Sequence, residues 1–298
     1  MAVEAAWFIV NARIEQNHLP GMYLGRNVRH DSRNRAYPHE RQDRQLTTQL
    51  WTRHIPILDQ GSVGSCTGNM AVGALGTDKL FGALPPSPPM LDEALAVKVY
   101  SGAEDIDGDG PYPPNDNGST GPSACQVLKN MGLISGYTHC FSLADVLDAL
   151  EDGPVGIGSN WYDSMDSPDS SGLVSVSPGA QVRGGHEYLC RGKDVSAKLV
   201  YLDNSWGSGW GAKGSFSMSW DTLGRLLGEQ GDGTVPIPLT APAPTPVPVP
   251  PQPAPHPGPD DADLVLYRQV RAWAGQHHVG QNGAIARDLQ HWIRAKGF

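Results

Sequence analysis

The sequence predicts an α+β fold for a single domain of about 190 residues. Three observations support this prediction. Helical and strand-like patterns alternate over residues 45–235, and short turns containing Gly or Pro separate them. A helical pattern follows Cys66, and strand patterns surround His186 and precede Asn204. The chain also has 39% hydrophobic residues and 8 tryptophans, which is enough apolar material for a core.

Residues 1–44 precede this domain as an extension with weak periodicity. From Arg26 to Arg44 the extension carries six arginines against Asp31, Glu40 and Asp43. Such a charge pattern is typical of a solvated surface and predicts a strap over the body of the protein. Two hypotheses remain open for this segment: a cleaved, inhibitory propeptide or a permanent strap.

A proline-rich segment follows the domain. The chain has 26 prolines, and 12 of them lie within residues 236–259. Residues 236–260 are therefore predicted to form a polyproline II linker, in which the 24 residues from 236 to 259 reach up to roughly 74 Å at about 3.1 Å per residue. Residues 261–298 show two amphipathic helical patterns, predicted to be a basic docking module for an acidic or protein partner. Packing of this hairpin on the domain of residues 45–235 is the alternative.

Composition and charge exclude several classes of function. The net charge of -9 argues against nucleic acid as a partner, because phosphate binding needs a basic face. The longest apolar run, residues 5–10, is far shorter than the about 18 residues that span a membrane. No basic region precedes it as in a secretory signal, so we expect a cytoplasmic protein at synthesis. Association with a virion or release by lysis would need no such signal in the sequence.

The first chemical motif is a tight loop of Gly and Ser residues that leads from Gln60 to Cys66. A helical pattern starts at Cys66 and predicts a helix to about Phe81. A helix N-terminus lowers the pKa of a thiol and favours the nucleophilic thiolate. The alternative for a single cysteine at this place is a small buried apolar residue.

Two further motifs supply groups that can act on a thiol. His186 lies in a glycine-bounded strand pattern, and a neutral imidazole can take the proton of a thiol. Asn204 ends a second strand pattern, just before a Gly-rich turn with Trp206 and Trp210. An asparagine can orient an imidazole ring by accepting its N–H, and an indole can shield that hydrogen bond from water.

Together, these three segments resemble the papain-like cysteine peptidases. The motifs of that family are a Gln followed by a Gly/Ser-rich loop that ends in Cys, a His flanked by Gly or Asn on a strand, and the sequence Asn-Ser-Trp-Gly. The order Cys66, His186, Asn204 and its spacing agree with that family. The resemblance covers about residues 50–235. Within the family, these residues are most similar to the compact type found in actinobacteria and their phages. It implies a two-lobed fold, with a helical lobe that carries the Cys and an antiparallel β lobe that carries the His and Asn.

The resemblance also implies a mechanism without a cofactor or metal. Cys66 would attack the scissile carbonyl as a thiolate paired with the His186 imidazolium, which Asn204 orients. Gln60 and the backbone N–H of Cys66 would form the oxyanion hole. Hydrolysis of the acyl-thioester by water would complete the cycle on a protein or peptide substrate.

Five positions are predicted by the same resemblance to bind substrate. Gly118 and Ser119 match a backbone strip that pairs with an extended peptide. Glu187 matches a position lining the second specificity pocket, where it would favour a basic or polar side chain. Trp206 and Trp210 complete the set. Two other functions remain open: a papain-fold structural or binding component of a phage particle, and a lysin-type hydrolase of peptidoglycan peptide cross-links.

An acidic stretch offers a weaker signal. Asp105, Asp107, Asp109 and Asp116 match the spacing of ligands in a calcium loop. Three prolines at 111, 113 and 114 prevent the helix that should follow such a loop, so an acidic surface loop is the favoured interpretation. The cysteines other than Cys66 are expected to be buried free thiols.

Overall fold

The computed structural model describes residues 16–28 and 36–239. Most of the predicted linker and the whole of residues 261–298 lie outside the described residues. The described residues form five α-helices: α1 (Cys66–Leu75), α2 (Glu93–Asp107), α3 (Gly121–Asn130), α4 (Leu143–Ala149) and α5 (Trp220–Gly228). They form eight strands: β1 (Gln49–Leu50), β2 (Gly136–Cys140), β3 (Val155–Tyr162), β4 (Leu173–Val174), β5 (Val182–Asp194), β6 (Leu199–Asp203), β7 (Ser215–Ser219) and β8 (Asp232–Ile237).

One mixed sheet organises the second half of the domain. Its strand order is β2-β8-β3-β5-β6-β7-β4, and β1 pairs with β5 beside this path. All pairs are antiparallel except β4 with β7. The long strand β5 pairs with both β3 and β6, and in this register His186 lies opposite Ser159. The sheet therefore carries His186 on a strand that is held from both sides.

Two apolar clusters give the domain its two lobes. Residues of α1, α2 and α3 form one cluster, and residues of the sheet with α4 and α5 form the other. Strand β5 contributes to both, because successive side chains of a strand point to opposite faces. Leu189 packs into the helical cluster, whereas Tyr188 and Cys190 pack into the β cluster. The α+β prediction is confirmed, with the helical lobe first along the chain.

The structure corrects the predicted end of the first helix. The expected helix from Cys66 to about Phe81 stops at Leu75, and only a short 3-10 turn, Phe81–Ala83, follows. A side chain at Gly76 would collide with Ile55, whose Cδ1 lies 2.5 Å from the position of such a Cβ. Gly76 caps this helix, and packing of the preceding loop leaves no room for a side chain there, which helical periodicity could not reveal.

The start of the predicted linker also differs. Pro236 and Ile237 belong to β8 and pair with β2, whereas the pairing of β8 with β3 covers only Asp232 to Thr234. Proline is tolerated in a strand where no neighbour needs its missing N–H. The ordered domain therefore includes the first proline of that tract. Among the described residues, no helix is both long and apolar enough to cross a membrane.

Candidate active site

Cys66 is the first residue of α1 and is completely buried. The backbone N–H groups of Thr67 and Glu187 lie near its thiol and favour the thiolate. Burial outweighs these contacts and, together with the charge of Glu187, raises the pKa of Cys66 to about 12. The structure thus places the thiol beside the residue that follows His186, in a site from which water is excluded.

His186 is held in one orientation by Asn204. The His186 Nε2 lies 2.7 Å from Asn204 Oδ1, and the backbone N–H of Ser205 donates to the same oxygen at 2.8 Å. An amide oxygen only accepts, so Nε2 carries the proton and Nδ1 is the free base. Nδ1 is buried and has no hydrogen-bond partner within the described residues. A buried imidazole nitrogen without a partner is a group available for proton transfer.

Aromatic rings enclose His186 from two directions. Trp206 stacks on the imidazole at 4.8 Å between ring centroids, and Trp161 meets it edge-on at 5.0 Å. Burial lowers the pKa of His186 to about 4, although the Asn204 hydrogen bond opposes this shift. Sequence reasoning missed Trp161, because it lies on β3 outside the three motifs. Trp210 packs behind Trp206 at 5.2 Å rather than on His186.

Gln60 connects the cysteine loop to the asparagine turn. Its Oε1 accepts a 2.6 Å hydrogen bond from the Ser205 hydroxyl, and its Nε2 donates to the Val63 carbonyl at 2.8 Å. The Gln60 backbone N–H also donates to the Ser205 carbonyl at 2.9 Å. An amide NH2 group has two hydrogens, so one remains for a substrate oxygen. These contacts join the loop that leads to Cys66 to the turn that follows Asn204.

Asp116 and Tyr100 join the loop before Cys66 to the segment at Gly118. The Asp116 carboxylate accepts from the Gly64 N–H at 3.0 Å and from the Tyr100 hydroxyl at 2.6 Å. The Tyr100 hydroxyl in turn accepts from the Gly118 N–H at 3.0 Å. Asp116 is one of the residues that suggested a calcium loop, and the structure assigns it this bracing contact instead. Asp107 likewise accepts hydrogen bonds from Ser119 and Ser123.

Residues 16–28 lie in the cleft between the Gly118–Ser119 strip and Gly185. Ser119 donates to the Gly25 carbonyl at 2.8 Å and accepts from the Asn27 N–H at 2.7 Å, so the segment pairs with the predicted substrate strip. The N–H groups of Gly25 and Arg26 both donate to the Gly185 carbonyl. The chain thus pairs on one side with the strip and on the other with the residue before His186.

Close packing shows how completely this segment fills the cleft. A Cβ on Gly25 would lie 2.7 Å from the Gly64 Cα, and one on Gly118 would lie 2.9 Å from the Gly25 carbonyl carbon. Trp206 donates its indole N–H to the Tyr23 carbonyl at 2.9 Å. The backbone at Gly25 therefore fits between two other glycine backbones, where any side chain would force the chains apart.

The solvated strap predicted for residues 26–44 is wrong at its first residue. Arg26 is 1% exposed and points into the protein beside Glu187. The later part does lie on the surface of the body: His39 and Arg44 both contact the Asp148 carboxylate of α4. Charge counting could not separate Arg26 from the exposed Arg41, because the carboxylate partners of Arg26 come from β5 and β8.

Comparisons with solved structures identify the fold. The structure of xylellain, a cysteine protease from Xylella fastidiosa, is 18% identical, with a TM-score of 0.59 over 76% of this chain and 98% of that chain. Digestive procathepsin L 3 from the larval midgut of Tenebrio molitor is 19% identical, with a TM-score of 0.52 over 68% of this chain and 74% of that chain. The models of protein families and the curated proteins that were compared give no match. The chain therefore has the papain-like α+β fold of the cysteine peptidases.

Proposed function

We propose that this protein is a cysteine endopeptidase that cleaves peptide bonds with Cys66 as nucleophile and His186 as its base. The arrangement of His186 carries the proposal. Its Nε2 is engaged by Asn204, and its Nδ1 is buried without a partner among the described residues. The thiol of Cys66 meanwhile contacts the backbone of the next residue, Glu187.

The chemistry follows from these contacts. Nδ1 of His186 takes the proton of Cys66, and the thiolate attacks the scissile carbonyl carbon. Gln60 Nε2 and the Cys66 N–H stabilise the oxyanion, a contribution of roughly 3 to 4 kcal/mol for one such donor. The imidazolium then returns its proton to the leaving amine, and water hydrolyses the acyl-thioester to release the second product. Asn204 and Trp206 position the ring throughout.

In this structure the N-terminal segment covers the site of Cys66 and His186. Burial is the main cause both of the raised pKa of Cys66 and of the lowered pKa of His186, so the site holds a neutral thiol and a neutral imidazole. A substrate strand needs the Ser119 and Gly185 groups that Gly25 and Arg26 occupy. We therefore favour the inhibitory role for the N-terminal segment: it must leave the cleft before the ion pair can form in the presence of water.

Labelling with an electrophilic epoxide inhibitor tests the nucleophile. Wild type and an Arg26→Ala variant are incubated at neutral pH, and the modified residue is identified by mass spectrometry. We expect modification at Cys66, its loss in Cys66→Ser, and its retention in Cys125→Ser. Cys125 is a matched control because it is also a buried free thiol on a helix. Reaction no faster than that of free cysteine, with no peptide hydrolysis, would support a structural or binding component of a phage particle instead.

Two further measurements narrow the function. Incubation with purified peptidoglycan, beside a protein substrate, separates an endopeptidase from a lysin-type hydrolase of peptide cross-links. The mass of the purified chain before and after incubation, beside a Cys66→Ala variant, tests whether the N-terminal segment is cleaved. If wild type and variant keep the same full-length mass, autoprocessing of the segment is excluded.

A further inference from the structure

Arg26 is buried in a pocket whose polar lining is acidic. Its Nη2 donates to Asp232 Oδ1 at 2.6 Å and to the Gln230 carbonyl at 2.8 Å. Its Nε lies 3.9 Å from Glu187 Oε2. The Arg26 and Glu187 side chains are 2% and 1% exposed. A guanidinium is thus removed from water and placed between two carboxyl groups.

Two glycines leave the space that this guanidinium occupies. A Cβ on Gly158 of β3 would lie 2.5 Å from Asp232 Oδ1 and 2.6 Å from Glu187 Oε2. A Cβ on Gly121, at the start of α3, would lie 3.1 Å from Glu187 Cδ. Any side chain at either position would displace the acidic groups or their ligand. The pocket is therefore built from both lobes, with β3, β5 and β8 on one side and α3 on the other.

The pocket holds a second acidic group, Glu187, that Arg26 does not reach with a hydrogen bond. Within the described residues, Glu187 Oε2 and Arg26 Nη1 are buried without a hydrogen-bond partner. Burial and the neighbouring charge of Asp232 raise the pKa of Glu187, and Arg26 opposes that shift. A buried carboxyl group without a cation takes up a proton, so a cation in the pocket favours the charged carboxylate. Departure of Arg26 would remove this stabilisation until another positive group entered the pocket.

We propose that Glu187 and Asp232 form a substrate pocket for an arginine side chain, and that Arg26 occupies this pocket as a substitute for the substrate. The inference rests on the proposed peptidase function and adds its substrate class: peptides with arginine near the scissile bond. The backbone of Arg26 supports it, because its N–H pairs with Gly185 while its neighbours pair with Ser119. A peptide bound to the same backbone groups would place its own side chain in the same pocket.

Arginine fits this pocket better than other side chains for a geometric reason. One guanidinium nitrogen reaches both Asp232 and the Gln230 carbonyl while Nε faces Glu187. A lysine ammonium is a single point charge, and it cannot present donors on two edges of a planar group. Citrulline has nearly the shape of arginine without its charge, so it isolates the electrostatic contribution.

The test uses the full chain with Arg26→Ala, which frees the pocket. Fluorogenic peptides carry arginine, citrulline, lysine or leucine at one, two or three residues before the scissile bond. We expect kcat/KM at one of these positions to be about tenfold or more higher for arginine than for citrulline, as for hydrogen bonds to a charged group. A second substitution, Asp232→Asn, should bring the two peptides within about threefold. Asp221→Asn is the matched control, because Asp221 is an exposed carboxylate on α5.

A binding assay keeps the proposal testable without catalysis. Fluorescence anisotropy with labelled arginine and citrulline peptides is measured on the Cys66→Ser, Arg26→Ala chain. Tighter binding of the arginine peptide, lost with Asp232→Asn, supports the pocket even if no peptide is hydrolysed. Equal cleavage and equal binding of the arginine and citrulline peptides would overturn it, while labelling of Cys66 would leave the peptidase function standing.

Discussion

Replacing Arg26 by alanine should activate the full-length protein. The substitution removes the hydrogen bonds to Asp232 and Gln230 but leaves the backbone pairing of residue 26 intact. A hydrogen bond of a charged group contributes about 1.5 to 3 kcal/mol. With the lower value for each bond, the covered state loses about 3 kcal/mol, which at about 1.4 kcal/mol per tenfold shifts the equilibrium between covered and open states roughly 100-fold.

The measured rate should follow this equilibrium. Only the open fraction binds substrate, so kcat/KM rises with that fraction until the chain is fully open. The assay compares initial rates on a quenched fluorogenic peptide for wild type, Arg26→Ala and Arg41→Ala. Arg41 is the matched control: it belongs to the same N-terminal extension and pairs with Asp145 on the surface, where its side chain is 59% exposed. Equal rates for all three proteins, at equal thermal stability, would refute the idea that Arg26 holds the cleft closed.

Three further predictions concern the site and its support. Because the pKa of His186 is about 4 in the folded chain against an ordinary 6.5, the unfolded chain binds more protons between these values. The contribution of His186 to the free energy of unfolding should therefore fall by about 3 kcal/mol as pH drops from 6.5 to 4, so denaturant titration should find a loss smaller by about that amount in His186→Gln. Asn204→Ala should lower kcat about 10- to 100-fold with little change in KM, since Asn204 acts on the ring and not on substrate; a change in KM alone would contradict this. Tyr100→Phe leaves Asp116 and the Gly118 N–H each without one hydrogen bond, and should cost about 1 to 3 kcal/mol in the free energy of unfolding; an unchanged value would show that the bracing contact carries no stability.

The catalytic candidates were recognisable from the sequence because their motifs are local. Gln60 and Cys66 lie on one loop, and Asn204 and Trp206 on another. Ser142 and Asp145 are three positions apart, and the Ser142 hydroxyl accepts the Asp145 N–H at the start of α4. In these cases the residues that interact are within a few positions of each other, so the pattern itself contains the contact.

Other features of the site escaped the sequence because their partners are distant along the chain. Trp161 covers His186 from β3, and no motif surrounds it. Ile55, in the loop before Cys66, fills the space beside Gly76 at the end of α1. In both cases packing between elements decided what periodicity left open.

The sequence by itself determined the chemistry of the protein: a thiol at a helix start, an imidazole on a strand and an asparagine before a tryptophan turn. The tertiary structure alone decided whether Cys66 and His186 are covered and which protonation state they have. Arg26 and Asp232 are 206 residues apart, yet their side chains meet at 2.6 Å. Folding brings the N-terminal segment across the cleft, excludes water and so keeps Cys66 and His186 neutral. The physical reason is that burial and long-range charge pairing depend on which elements pack together, and neither is encoded in any short stretch of the chain.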